Sequence, residues 1–128
     1  MKRPDRDRGA AAVEFALVLP ILLLLVFGVI EFGRIYSIQS SITAAARNGA
    51  RVMALTNDPT SASQAAVAAA APYTISSADV SITPTDCDVT DSPGASTTVT
   101  INYPVTLLTG FFGAHLTLTG TGVMRCYG

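Results

Sequence analysis

Residues 10–30 read AAAVEFALVLPILLLLVFGVI, and from Phe15 to Ile30 the run holds no charged side chain. As a helix rising about 1.5 Å per residue it spans about 31 Å, enough to cross the hydrocarbon core of a bilayer. A buried helix of a soluble protein is the competing reading. A chain of 128 residues, however, has little other apolar surface with which to surround such a segment on every side. The segment therefore reads as a membrane span. The whole chain is 49% hydrophobic without a single Trp, and only 13% charged, against about 25% in ordinary soluble domains. Eight Lys and Arg face nine Asp and Glu, a formal net charge of -1, which leaves no basic surface for nucleic acid.

The flanks orient the span. Lys2, Arg3, Arg6 and Arg8 precede it among Asp5 and Asp7, and basic residues beside a span hold their end in the cytoplasm while acidic ones count for little. Arg34, Arg47 and Arg51 lie beyond it, so the bias is moderate. The amino terminus is expected inside and everything after about residue 34 outside the cytoplasm. A cleaved secretory signal has the same general shape, but its apolar part runs to about 7–15 residues and ends in a small-x-small site. GVIEFGRIYSIQSS offers no such site, and no Cys adjoins the run for lipid attachment.

Glu14 is the anomaly in the apolar run, because a carboxylate there must be neutralised, paired or held at the interface. Its neighbours suggest how. Arg8-Gly9-Ala10-Ala11-Ala12-Val13-Glu14-Phe15 resembles the processing site of type IV pilin-like precursors. Downstream, Glu14-Phe15-Ala16, Leu19-Pro20, the Leu run, Glu31-Phe32-Gly33-Arg34 and the Ala-Ala-Arg-x-Gly-Ala-Arg of Ala45 to Arg51 are similar to the TadE-like family, minor pilins or pseudopilins of the tight-adherence (Tad, or Flp) pilus system. The resemblance covers about the first 55 residues. It implies cleavage between Gly9 and Ala10 by a membrane prepilin peptidase, with the apolar segment retained, and a pilin-like fold.

Such a cut would create an ammonium at Ala10 one helical turn from Glu14. In the assembly mode that the resemblance implies, Glu14, next to Phe15, pairs with the terminal amine of a neighbouring subunit and sets the stagger between helices. Opposite charges about 4 Å apart attract by about 4 kcal/mol at an effective dielectric of about 20, before desolvation is subtracted. Losing residues 1–9 would leave four Lys and Arg against seven Asp and Glu, a formal side-chain charge of -3. Pro20 removes one backbone donor and predicts a kink or local loosening, either a passive bend or an aid to leaving the bilayer. Gly28 and Gly33 are five apart and make no GxxxG motif.

Past the span the helical pattern continues. Ile35, Ile38, Ile42, Ala45, Gly49 and Val52 recur at steps of three and four, a stripe for the protein's own sheet, for neighbouring subunits, or for both. Asn57-Asp58-Pro59 ends this helix. Ser61-x-x-Gln64 is a candidate capping box for a second, Ala-rich helix stopped by Pro72. Alternation then predicts strands around Val80 and Ile82, from Val99 to Val105, and around Leu116 and Leu118, with Pro104 placing its strand at an edge or ending it. Phe111 and Phe112, between Gly110 and Gly113, read as packing under the sheet in preference to a loop tip or a membrane-proximal contact.

Cys87 and Cys126 fall in the part assigned outside the cytoplasm, where a disulfide is permitted, although two free thiols stay open. Nothing supports catalysis. His115 is the sole His and sits at a strand start, and two Cys with one His lack zinc spacing. Asp86, Asp88 and Asp91 suit a solvated turn better than a calcium loop. The expected protein is α+β, with a leader at 1–9, a transmembrane helix at 10–33, its extracytoplasmic continuation at 34–56 and a small head at 57–128. In the head a short helix and a small antiparallel sheet pack on the long helix. No enzyme activity, cofactor or metal is expected. The implied partners are a prepilin peptidase, other pilin and pseudopilin subunits, the inner-membrane assembly platform and membrane lipid. The implied place is the bacterial inner membrane with the amino terminus cytoplasmic, then the cell surface. The alternative is an unprocessed, membrane-anchored extracytoplasmic binding domain.

Overall fold

The computed structural model describes residues 5–88, 94–108, 110 and 113–127, with side chains from residue 7 onward. Helix α1, Asp5–Thr56, is followed by α2, Pro59–Ala69, a single 3₁₀ turn at Ser77–Asp79, and strands β1, Val80–Thr83, β2, Ser96–Thr106, and β3, His115–Arg125. This is the α+β arrangement expected from the sequence. The chain divides into two compact units, Met1–Arg34 and Ile35–Gly128.

In the first unit α1 runs through Pro20 without interruption. Leu is the commonest residue of this unit and loses little conformational freedom in a helix. From residue 7 to residue 30 every side chain is exposed. Near the end of the unit Glu31 is buried, and Arg34, one turn on, lies 3.5 Å from its Oε1.

In the second unit the same helix has an inside and an outside. Ile38, Ile42, Ala45 and Gly49 are buried and Ile35 and Val52 half-buried, as their spacing predicts; Ala46, Ala50, Met53 and Ala54 widen that stripe. Against it pack Ala66 of α2 and Ala70 just past that helix, Val99, Ile101 and Val105 of β2, and Leu118 of β3. Small residues let the elements come close. A Cβ placed on Gly49 would lie 3.0 Å from Ala66 Cβ and 3.2 Å from the Ala62 carbonyl oxygen, so α1 and α2 are nearly in backbone contact. On β3, a Cβ on Gly120 would meet the Ile42 carbonyl at 2.7 Å, and one on Gly122 the Ala46 carbonyl at 2.5 Å. The sheet thus rests its third strand directly on the helix backbone.

The turn between the helices departs from expectation. Asp58, not Ser61, caps α2: its carboxylate accepts from the N–H of Thr60 at 3.0 Å and of Ser61 at 3.3 Å, and Pro59 takes the first helical position. Asp as cap followed by Pro, whose missing N–H costs nothing there, outcompetes a start three residues later. The Ser61 hydroxyl donates to Asp58 Oδ2 at 2.5 Å. That bond and the Thr60 N–H hold the Asp58 carboxyl below its ordinary range. The helix ends at Ala69 with Ala70 as its C-cap, before Pro72 is reached.

The sheet order is β1-β2-β3, both pairs antiparallel. Strand β2 is therefore central, which corrects the edge position expected from Pro104. The physical reason is the shortness of β1, which pairs only with Thr98 to Ile101, so the Pro104 end of β2 has a neighbour on one side alone. Strand β3 extends to Arg125, and of its two alternating leucines Leu118 is buried whereas Leu116 is 41% exposed. Phe111, Phe112 and Asp91 lie outside the described residues.

Candidate functional site

The residues singled out near the amino end all lie on the first stretch of α1. Gly9, Ala10, Glu14, Phe15 and Pro20 are exposed, and nothing stands within 4 Å of where a Gly9 Cβ would be. Ala10 and Glu14 are one helical turn apart, on one face. Glu14 has no ion pair among the described residues. Its surroundings are apolar: Val13 is 62% and Phe15 65% exposed, and the same holds along the helix as far as Ile30. A helix apolar on all sides has no solution in water, and its partners have to be lipid tails or other apolar helices. The helix is long and apolar enough to cross a membrane, which suggests membrane anchoring.

The head is tied together at the far end of α1. Asn57 adopts a left-handed conformation, φ 48°, and its N–H donates to the Met53 carbonyl at 2.9 Å, closing the helix. Its side chain then bridges 30 residues of sequence: Oδ1 accepts from the Cys87 N–H at 2.6 Å, and Nδ2 donates to Asp86 Oδ1 at 2.8 Å. Cys87 is joined to Cys126 by a disulfide with the Cα atoms 5.4 Å apart. The Cys126 N–H donates to the Ala95 carbonyl, and that of Tyr127 to the Ala54 carbonyl. A second small core of Met53, Ala62 and the two cysteines fills the space between. The Asn57 junction escapes sequence reading. Its only trace is an Asn directly after a helix, one of the few residues besides Gly that tolerate the left-handed region.

Other polar candidates are placed differently. His115 is exposed at the first position of β3, opposite Thr106. Asp86 is engaged by Asn57. Nearer the start of the head, Tyr73 shares a hydrogen bond with Ser37 at 3.1 Å and packs its ring 6.4 Å from that of Tyr103. Among the described residues no three His, Cys, Asp or Glu side chains gather as metal ligands would.

Fold and exposed helix together define a class: a small α+β head on a helix whose first half demands an apolar environment. Within that class, residues 9–51 match the family model of TadE-like proteins. The match begins at Gly9 and ends at Arg51, bearing out the resemblance carried by the Gly9 to Phe15 and Ala45 to Arg51 motifs. The family is not one of enzymes, and it suggests a Tad pilus-associated protein. No curated protein and no solved structure matches the chain.

Proposed function

We propose that this chain is a minor pilin or pseudopilin, matured by a prepilin peptidase and inserted into, or assisting assembly of, a Tad-type pilus used for adherence or secretion. The observation that carries the reading is the exposed apolar helix from residue 9 to residue 30, interrupted by one carboxylate, Glu14, that has no ion pair among the described residues and stands at a fixed distance from Gly9. In the proposed course residues 1–9 are the cytoplasmic leader, 10–33 cross the inner membrane and 34–56 continue the helix outside towards the head at 57–128. Cleavage of the Gly9–Ala10 bond leaves an ammonium on Ala10, and the Glu14 carboxylate of an adjoining subunit receives it. Buried opposite charges fix register more than they add stability, because desolvation offsets much of their attraction. Pro20 lowers the number of backbone bonds that must be kept as the segment passes from lipid to a helix bundle. The Cys87–Cys126 bridge keeps the head closed outside the cell. Other pilin-type subunits, the peptidase, the assembly platform and the surrounding lipid are the partners in this scheme.

Intact-mass measurement of the protein from its native host tests the first step. Loss of residues 1–9 is the expected result, and a full-length amino terminus on protein that stays apart from filaments points to the unprocessed, anchored binding domain instead. A second test addresses register. Glu14→Ala should leave cleavage intact and reduce incorporation into filaments at least tenfold, whereas unchanged incorporation would sink the charge-pairing role.

A further inference from the structure

Strand β3 ends the sheet, with β2 on one flank and no strand on the other among the described residues. Successive residues of an antiparallel strand turn their N–H and C=O alternately towards one flank and the other. Pro104 fixes which residues do which. It stands opposite Thr117 and has no N–H to give, so its parity on β2 faces the β1 side, which β1 leaves open beyond Ile101. Thr117, Thr119, Thr121 and Val123 then turn their peptide groups away from β2. A second observation agrees: the Thr119 carbonyl accepts a bond at 2.9 Å from Gln39 Nε2 of helix α1. Between His115 and Arg125 the edge carries no Lys, Pro or acidic residue, the usual guards of an open strand.

The helix supplies a floor beside this edge. Tyr36, Gln39, Ser40, Thr43, Ala44 and Arg47, all on α1, line a shallow groove of about 300 Å³. The groove borders the strand, since a Cβ on Gly120 would fall 2.9 Å from the Thr43 nitrogen. Ser40 and Ala44 are small and exposed, leaving room for another backbone. Arg47 and Arg51, four apart and exposed, repel each other, and neither has an ion pair among the described residues. The chemistry lacking on this side is thus a row of backbone donors and acceptors together with a negative charge.

We propose that the free edge of β3 receives an extended strand of a partner protein, which adds to the sheet over the 36–47 face of α1 and sets an acidic side chain against Arg47. Main-chain bonds to Thr117, Thr121 and Val123 supply affinity and the Arg47 contact supplies selectivity. The proposal holds whether or not the leader is removed.

The test titrates the isotope-labelled full chain, in detergent micelles, with an alternating Thr/Val peptide of about ten residues bearing one central Glu. The N–H signals of Thr117, Thr121 and Val123 should shift and gain protection from hydrogen exchange, while that of Ile82, which faces outward on the opposite edge strand, stays put. N-methylating alternate peptide nitrogens should weaken binding at least tenfold, as should Thr121→Pro, which removes one outward donor and no ladder bond. Arg47→Glu should do the same and be rescued by a peptide with Lys in place of Glu. Unmoved edge signals, undiminished binding by the N-methylated peptide, or binding indifferent to the charge at position 47 would each overturn the proposal. The N-methyl comparison uses the unaltered protein, so misfolding of a variant cannot imitate either result.

Discussion

Residues 7–30 and residues 35–56 belong to one helix and obey opposite rules. In the first stretch every position is exposed and almost every one is apolar. In the second, one stripe turns inward, with Ile42 and Ala45 at 0% exposure, while Arg47 and Arg51 stand in the open. Secondary structure is therefore indifferent to which solvent a helix meets. What distinguishes the stretches is whether hydrophobicity is uniform around the axis or confined to a stripe. The first stretch has to find its partners elsewhere; the second carries them in the same chain.

That contrast yields measurable differences, each read as the melting of the head in detergent micelles. The largest concerns the link that only the second unit possesses. Replacing both Cys87 and Cys126 by Ser should lower head stability by about 4 kcal/mol, since the bridge closes a loop of 39 residues. The glycines come next. Gly122→Ala drives a methyl group into the Ala46 carbonyl and should cost about 3 kcal/mol. Gly28→Ala meets nothing within 4 Å and should leave the melting temperature unchanged. Equal effects at the two glycines would erase the distinction between the stretches.

Asn57→Ala should cost about 2 kcal/mol, combining a strained left-handed residue with loss of the bonds to Cys87 and Asp86. Asn57→Gly relieves the strain and should recover part of the loss. The smallest effect has the opposite sign. Thr97 is wholly buried on β2 and its hydroxyl has no hydrogen-bond partner among the described residues. Thr97→Val keeps the shape, removes the unsatisfied group and should stabilise the head by about 1 kcal/mol. A loss of stability there would mean that the hydroxyl has a use the static structure does not display.

Much of this architecture is legible in the residues. The apolar run, the stripe from Ile35 to Val52 and the alternation in β2 are periodic signals, repeated often enough to survive local exceptions. What is not legible rests on single residues whose meaning depends on distant ones. Asp58 and Ser61 are both good caps, and Pro59 decides between them through its position. Gly120 and Gly122 look like turn residues in a Thr-rich tail until the helix beneath them is known. Pro104 suggests an edge because proline cannot join two ladders at once. It sits in a central strand because β1 is only four residues long. Of the candidate site, Gly9, Ala10 and Glu14 stand out by spacing alone, whereas the Asn57 junction spans 30 residues and has no local signature.

The close approach of β3 to α1 also divides the head into a side that is closed to change and a side that is open to it. Gly120 and Gly122 forbid any larger residue under the sheet, while Thr117, Thr119 and Thr121, of the opposite parity on the strand, face outwards. Apart from Thr119, whose hydroxyl donates to Asn102 Oδ1 at 3.0 Å, drift at those outward threonines spares the contact with the helix, so new surface chemistry can be tried there while the helix is kept as it is.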